Sequence, residues 1–235
     1  MNNPVLEFPH QSVKLISYSQ SAGESSDDSG LNLQELVGYC ARVSNPANQD
    51  RHDTSEKLVR YLIKHKHWSP LEMVSATVEI NTTRDIARQI LRHRSFSFQE
   101  FSQRYADPTQ ALDFVTRQAR LQDQKNRQNS IAITDDSMTG ISSEWDRRQA
   151  EVIRLVKANY DWAIQNGIAK EQARAILPEG CTMSRLYMAG TLRSFVHFID
   201  VRSGNGTQAE CADVARKIAV SLAPVFPMIS EFEQK

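Results

Sequence analysis

From Met73 to Asn81 every second residue is apolar: Val74, Ala76, Val78 and Ile80 alternate with Ser75, Thr77 and Glu79. Successive side chains leave a strand on opposite faces, so this pattern predicts a strand with one buried and one solvated face. A parallel strand, covered on both faces, reads as a continuous apolar run, so the sheet expected here is antiparallel. The period then changes at once. Thr82 and Thr83 predict a helix cap, and Ile86, Ala87, Ile90 and Leu91 recur at helical spacing in a helix expected to run through Arg94. A sheet wet on one side must bury its other side against something, and helices are the elements at hand. The expected fold class is therefore mixed α/β, of the α+β kind. It is a mostly antiparallel sheet flanked by helices, with a helical lobe, in a single domain over residues 1–235.

The rest of the chain fits this frame. Val13 to Ser17 suits a further strand, and residues 19–30, small, polar and acidic, predict a flexible loop. Helices are expected from Leu31 to Val43 and from Thr54 or Ser55, with Thr54 as N-cap, to Lys66. Pro46 biases Asn45 away from helix. Residues 106–142 are mixed and polar, with a helix expected in the middle and a loop over 128–142. Arg117, Arg120, Lys125 and Arg127 there read as a solvated face, the alternative being contact with the phosphate of a second nucleotide. Ser143 to Asn166 predicts the longest helix, with Trp145, Val152, Leu155, Val156, Tyr160 and Ala163 as its apolar stripe and Gly167 at the C′ position. A short helix over Glu171 to Leu177 ends at Pro178. Met183 to Ala189 is open between strand and helix. The strand is preferred, up to Gly190, followed by a helix from Thr191 to Val201. Ser203 to Gly206 predicts a turn, Thr207 and Glu210 a capping box for a last helix to Ala223, and Pro224 and Pro227 the end of regular structure.

The function is concentrated in Arg92-His93-Arg94-Ser95-Phe96-Ser97-Phe98-Gln99-Glu100-Phe101-Ser102-Gln103-Arg104. A buried segment does not tolerate that density of charge without partners, and a solvated face does not need three interleaved phenylalanines. Guanidinium forks and hydroxyls suit phosphate oxygens, and aromatic surface suits a planar ring, so the cluster predicts a planar, phosphorylated ligand. Gln89, Arg92 and His93 stand at i, i+3 and i+4 and would share one helix face. Lys plus Arg and Asp plus Glu balance to a net charge of zero, which argues against a general nucleic-acid or membrane-surface binder. Cys40, Cys181 and Cys211 are widely spaced and read as isolated reduced thiols. His65 and His67 have no third ligand at a supporting spacing, so no metal is expected. There is no G-x-G-x-x-G after a strand and no Walker motif. The N-terminus lacks the basic and apolar regions of a signal peptide, and no apolar run is long enough to span a bilayer; a cytoplasmic location and no membrane partner are expected.

The segment 92–104 reads RHR-x-x-Ser-x-Gln-x-x-Ser-x-Arg and resembles the signature of the flavin-dependent thymidylate synthases, which usually has Asn where Gln99 stands. The resemblance extends along the chain. Ala41-Arg42-Val43-Ser44 is similar to an early family segment, and His65-Lys66-His67-Trp68-Ser69-Pro70-Leu71-Glu72 to the family's H-x-H-x-[ST]-P-x-E. Ala173 to Pro178 is similar to A-R-x-x-L-P, and Thr191 to Arg202 to N-x-R-S-x-x-x-F-x-x-x-R, with Thr191 in place of Asn; Gly206 stands where a histidine is common. The resemblance implies reductive methylation of dUMP to dTMP. Methylenetetrahydrofolate is the carbon donor, NADPH-reduced FAD the hydride source, and no cysteine nucleophile takes part. It implies Arg202 as the catalytic residue, and Gln89, Ile90, Leu91, Arg92, Glu100, Phe101, Ser102, Gln103, Arg104, Arg174 and Arg202 as contacts to dUMP. It implies His67, Ser69, Arg92, His93, Arg94, Glu100, Thr191, Arg193 and His197 as contacts to FAD, and a homotetramer whose sites are shared between chains.

Two other readings of the cluster are weaker. A histidine phosphatase carries its nucleophile in Arg-His-Gly after an early strand, whereas His93 ends a helix mid-chain without the glycine. A single-stranded nucleic-acid binder could stack bases on the Phe/Arg alternation, but zero net charge counts against it, so no nucleic-acid partner is expected.

Overall fold

The computed structural model describes residues 6–22, 31–135, 138–204 and 206–234. The strand at its centre is β2, Ser75–Thr83, with Ala76, Val78 and Ile80 buried and Ser75 exposed, as the alternation requires. Antiparallel neighbours flank it: β1, Ser12–Tyr18, on one side and β6, Met183–Thr191, on the other. The sheet order is β1-β2-β6-β3, where β3 is Phe96–Glu100. Leu186 and Met188 of β6 are buried beside Val78 and Ile80, and each such side chain contributes roughly 1.5–3 kcal/mol of burial. On the opposite face Tyr187 donates to Glu79 at 2.8 Å and Arg185 to Asn81 at 2.9 Å.

Three helices cover the dry face. They are α3 (Arg84–Ile90), α7 (Leu192–Ser203) and α8 (Ala209–Leu222), and their Ile86, Ile90, Phe195, Phe198, Ile199, Val214 and Ile218 share one core with the sheet. Helices α1 (Leu33–Ala41) and α2 (Ser55–Lys64) close it through Leu33, Val37 and Val59. A short α4 (Pro108–Ala111) and a two-stranded ribbon, β4 (Arg120–Gln122) with β5 (Ser130–Ala132), lead to α5 (Thr139–Gln165). With α6 (Lys170–Ala173), α5 forms the lobe around Tyr160, Ala163, Ala173 and Leu177. Gly167 takes φ +76 after α5, and the N–H of Ile168 reaches the Ala163 carbonyl at 2.9 Å, the Schellman ending expected from its position.

Several sequence expectations are corrected. The helix starting at Arg84 stops at Ile90, not Arg94, because the chain must turn to lay β3 against β6. That turn needs Gly190: a Cβ there would sit 2.4 Å from Phe96 Cδ1. Residues 120–132 form the ribbon rather than a helix running into a loop. α5 begins at Thr139 rather than Ser143, and half of its expected stripe faces outward, with Trp145, Val152 and Leu155 all over two-fifths exposed. Thr54 stands at the N-cap position of α2 as expected but makes no side-chain cap, since its hydroxyl is taken by the Arg51 carbonyl and Arg42. The Thr207–Glu210 box does not form, because Glu210 turns inward to Arg120. A 3₁₀ turn, Pro227–Phe232, continues past the expected end of regular structure. Of the expected loop over 19–30, residues 23–30 lie outside the described residues, as do residues 136–137 of the loop over 128–142 and Asn205 of the turn after Ser203.

Candidate active site

The end of α3 and the end of α7 meet. Arg202 Nε donates to His93 Nε2 at 2.7 Å, and its Nη2 donates to the Gln89 carbonyl at 3.4 Å. Arginine can only donate, so the His93 ring accepts at Nε2 and carries its proton on Nδ1. Burial lowers the His93 pKa to about 4, helped by the positive charge of Arg202 and by His197. The ring edge lies against Phe198, 4.7 Å between centroids. His93 is thus a neutral acceptor that fixes a permanently charged guanidinium. Gln89 Nε2 donates to Gln208 Oε1 at 2.7 Å, tying the same spot to the start of α8. Although α3 ends early, its capping turn, with the His93 N–H on the Ile90 carbonyl at 3.0 Å, brings Gln89 and His93 together as the helical spacing anticipated. Arg92 and Arg94 are exposed and have no ion-pair partner among the described residues.

A cleft of about 550 Å³ opens beside this junction, lined by Ile63, Trp68, Glu72, Ser95, Arg193 and His197 among others. Arg193 and His197 stand one turn apart on α7, and Arg193 is ion-paired to Glu72. With Val196 and Phe232 also in its wall, the cleft offers apolar surface for a flat ring and cationic and hydroxyl groups for a polar tail. Its volume falls within the roughly 300–1,000 Å³ of small-molecule sites, room for a flat ring system such as a flavin's. His67 and Ser69 are exposed, flanking the Trp68 of the cleft wall. They are held there because Lys66 takes φ 59 at the end of α2 and the His67 N–H closes on the Leu62 carbonyl at 2.8 Å. Thr191 is the N-cap of α7, accepting from the Ser194 N–H at 3.4 Å. The hydroxyl at this position already has structural work.

A second group gathers at the far end of β3. Glu100 accepts from Arg88 and from Ser184 Oγ at 2.9 Å, with Arg84 Nη1 at 3.6 Å. Arg84 and Arg88 also face Glu179. Arg174, half-buried, lies close enough to depress the Arg84 pKa, whose largest cause is burial. Arg104 reaches Glu171 at 3.6 Å, and its N–H donates to Ser102 Oγ at 3.4 Å. Phe101 is half-buried, its N–H on the Arg185 carbonyl at 2.8 Å, and Gln103 is only 3% exposed. Ile90 is sealed in the core, so a ligand contact there is restricted to its main chain, while Leu91 is half-buried. Of the expected nucleotide contacts, Gln89 and Arg202 are bonded to one another, while Glu100, Arg104 and Arg174 gather around Arg84, Arg88 and Glu171. Sequence reasoning assigned no role to Glu72, Arg84, Arg88, Ser184 or Gln208; of these, Glu72 closes the matched segment 65–72, and Arg84 and Arg88 carried a signal in their i, i+4 spacing.

No cysteine is among the residues that line the cleft. Cys211 is fully buried and burial pushes its thiol up to about 11, and burial also raises that of Cys181. No cluster of three metal-ligating side chains occurs among the described residues.

Comparison with known proteins places this geometry. The family described as "Thymidylate synthase complementing protein" matches residues 29–228. A probable flavin-dependent thymidylate synthase of Paramecium bursaria Chlorella virus 1 is 44% identical over 222 residues, 94% of this chain and 97% of that protein. The flavin-dependent thymidylate synthase of Synechocystis is 44% identical over 205 residues, 87% of this chain and 91% of the relative. Among solved structures, the UMP/dUMP methylase PolB from Streptomyces cacaoi bound with 5-Br dUMP superposes with a TM-score of 0.75 at 26% identity, covering 94% of this chain and 93% of that one. The chain belongs to the flavin-dependent thymidylate synthase family.

Proposed function

We propose that this family member methylates dUMP to dTMP, consuming methylenetetrahydrofolate and NADPH and releasing tetrahydrofolate and NADP⁺. FAD, held by the cleft residues named below, would supply the hydride chemistry that completes the methyl group, with NADPH as the source of electrons. The observation that carries the proposal is the seating of Arg202. Its Nε is taken by neutral His93 and its Nη2 by the Gln89 carbonyl, which leaves Nη1 without a hydrogen bond among the described residues. A guanidinium fixed in this way can stabilise negative charge on a uracil ring as its N3 ionises or its carbonyls polarise. That route needs no thiolate, in keeping with the buried Cys211.

The remaining roles follow from position. Gln89, Ile90, Leu91 and Arg92 would flank the uracil and sugar. Ser102, Arg104 and Arg174 would hold the phosphate, with Phe101 and Gln103 as their supports. Glu100, clamped by Arg84 and Arg88, would orient the nucleotide and the flavin together. His67, Ser69, Arg92, His93, Arg94, Thr191, Arg193 and His197 would line the flavin cleft. Because the nucleotide contacts form two groups, a homotetramer that brings one chain's Arg202 against its neighbour's Arg104 completes the site. The outward Trp145, Val152, Leu155 and Trp162 of α5 supply apolar surface for such an assembly. Among the described residues no helix is long and apolar enough to cross a membrane, and the cytoplasm is the compartment we assign.

The test is a visible spectrum after incubation with FAD and desalting, followed by NADPH and then dUMP with the folate donor. A flavin band that bleaches with NADPH, with dTMP formed afterwards, is expected. Arg202→Ala should retain the flavin band and lose dTMP synthesis; substantial synthesis in that variant refutes the role given to Arg202.

A further inference from the structure

A second cleft, of about 640 Å³, lies between the β4–β5 ribbon and the start of α8 and shares only Gln208 with the site described above. Three arginines line it, Arg120, Arg127 and Arg216, together with the amides Gln122, Gln128 and Gln208, and no carboxylate is among its lining residues. Arg120 is anchored from behind, its Nη2 on both oxygens of Glu210 at 2.7 and 2.8 Å, with side chains 11% and 2% exposed. Arg127 and Arg216 are different: both are exposed, and neither guanidinium has a hydrogen bond or ion pair among the described residues. Glu210 answers only Arg120, so the like charges of Arg127 and Arg216 face the cleft uncompensated, and the arrangement is relieved when an anion enters. The floor is the start of α8, where Gln208 makes no side-chain cap and is bonded to Gln89 instead. Uncapped N–H groups at the start of a long helix favour the same sign of ligand.

The lining contains no aromatic ring, so a base has nothing to stack on there, and the recognised chemistry is phosphate. Position gives the ligand. Ser203 and Gly204 of the wall directly follow Arg202, and Gln208 contacts Gln89, so the cleft adjoins the proposed reaction centre without using the Arg104–Arg174 group. We propose that this cleft binds the phosphate groups of a second nucleotide, the reductant, by Arg127 and Arg216 with Arg120 behind them. The assignment of the reductant rests on the function proposed above; the phosphate site itself rests on the cleft.

The experiment separates the two. Pyrophosphate is titrated calorimetrically into FAD-loaded protein, comparing wild type and Arg127→Ala/Arg216→Ala, both saturated with dUMP, with Arg104→Ala/Arg174→Ala, in which the substitutions themselves remove the dUMP phosphate site. Both cleft arginines are exposed, so the first variant is expected to keep wild-type circular dichroism and melting. It should bind pyrophosphate at least tenfold more weakly, while the second variant binds as wild type. Equal binding by wild type and the cleft variant overturns the phosphate site, as does weakening confined to the other pair. Flavin reduction is then followed with NADPH and NADH. A tenfold rise in half-saturating NADPH in the cleft variant, with dUMP affinity unmoved, supports the reductant. An unmoved value alongside lost pyrophosphate binding overturns that identification and leaves the phosphate site standing. If wild type fails to reduce its flavin at all, the proposed function falls, and the pyrophosphate arm still decides the cleft.

Discussion

Replacing His93 by Gln should make the protein less sensitive to acid. In the folded chain burial, Arg202 and His197 hold the His93 pKa at about 4, against 6.5 for a free side chain. Because the folded value is the lower, the unfolded chain takes up the proton first as pH falls. Stability is therefore fully present above about pH 6.5, lost progressively between there and pH 4, and level below. At roughly 1.36 kcal/mol per unit the ceiling is about 3 kcal/mol, and relaxation of a half-buried ring cuts it further. Between pH 7 and pH 5 the loss attributable to this ring should be about 1–2 kcal/mol. Glutamine can still accept from Arg202 Nε through Oε1 but cannot titrate, so the other histidines and the carboxylates cancel in the comparison. The assay is urea unfolding of wild type and His93→Gln at both pH values, with nitrogen chemical shifts of the ring as a second readout. Equal acid sensitivity of the two proteins, or a ring protonated at Nε2 near neutrality, refutes the account of how Arg202 is held.

Three further outcomes are expected from urea unfolding. Arg120→Met strands Glu210, whose carboxyl burial would otherwise raise but whose bonds from Arg120 keep below its usual range, so it should cost about 3–5 kcal/mol, and adding Glu210→Gln should recover part of it. Gly190→Ala drives a methyl group into Phe96 and should cost about 1–3 kcal/mol in the wild-type background but far less in Phe96→Ala. Lys66→Gly relieves a side chain at φ 59 and should raise stability by about 1 kcal/mol; a loss instead would mean that the turn before His67 is not strained.

The parts of the fold that sequence periodicity could reach are those whose partners impose a period. The β2 alternation and the α7 stripe each face one continuous core, so Val78, Ile80, Phe195 and Ile199 declare themselves. β3 carried the same signal, Phe96 and Phe98 alternating with Ser97 and Gln99, but its charges drew the reading toward a ligand, and the strand was missed. Helix α5 shows the converse limit. Its stripe is real, yet periodicity reports only that a face is apolar, and one chain buries Tyr160 and Ala163 while Trp145 and Leu155 point outward. The solvated face expected for Arg117 and Arg120 fails for a related reason: both cations found carboxylates distant in sequence, Asp85 and Glu210.

The pairing of the candidate site residues was not legible in the sequence. His93 and Arg202 are 109 residues apart, and Gln89 and Gln208 are 119 apart, so no local spacing could pair them. What pairs them is the core. Phe96 over Gly190 fixes where the chain leaves α3, Phe198 beneath His93 fixes where α7 ends, and the two arginine-bearing turns are then forced together. Among the described residues Arg92 and Arg94 have no ion-pair partner, as the contact with a charged ligand proposed for them requires. In the described chain the guanidiniums that serve structure, at Arg117 and Arg120, are held by carboxylates. Arg202 is held by a neutral imidazole and a carbonyl, partners that orient a positive charge without cancelling it.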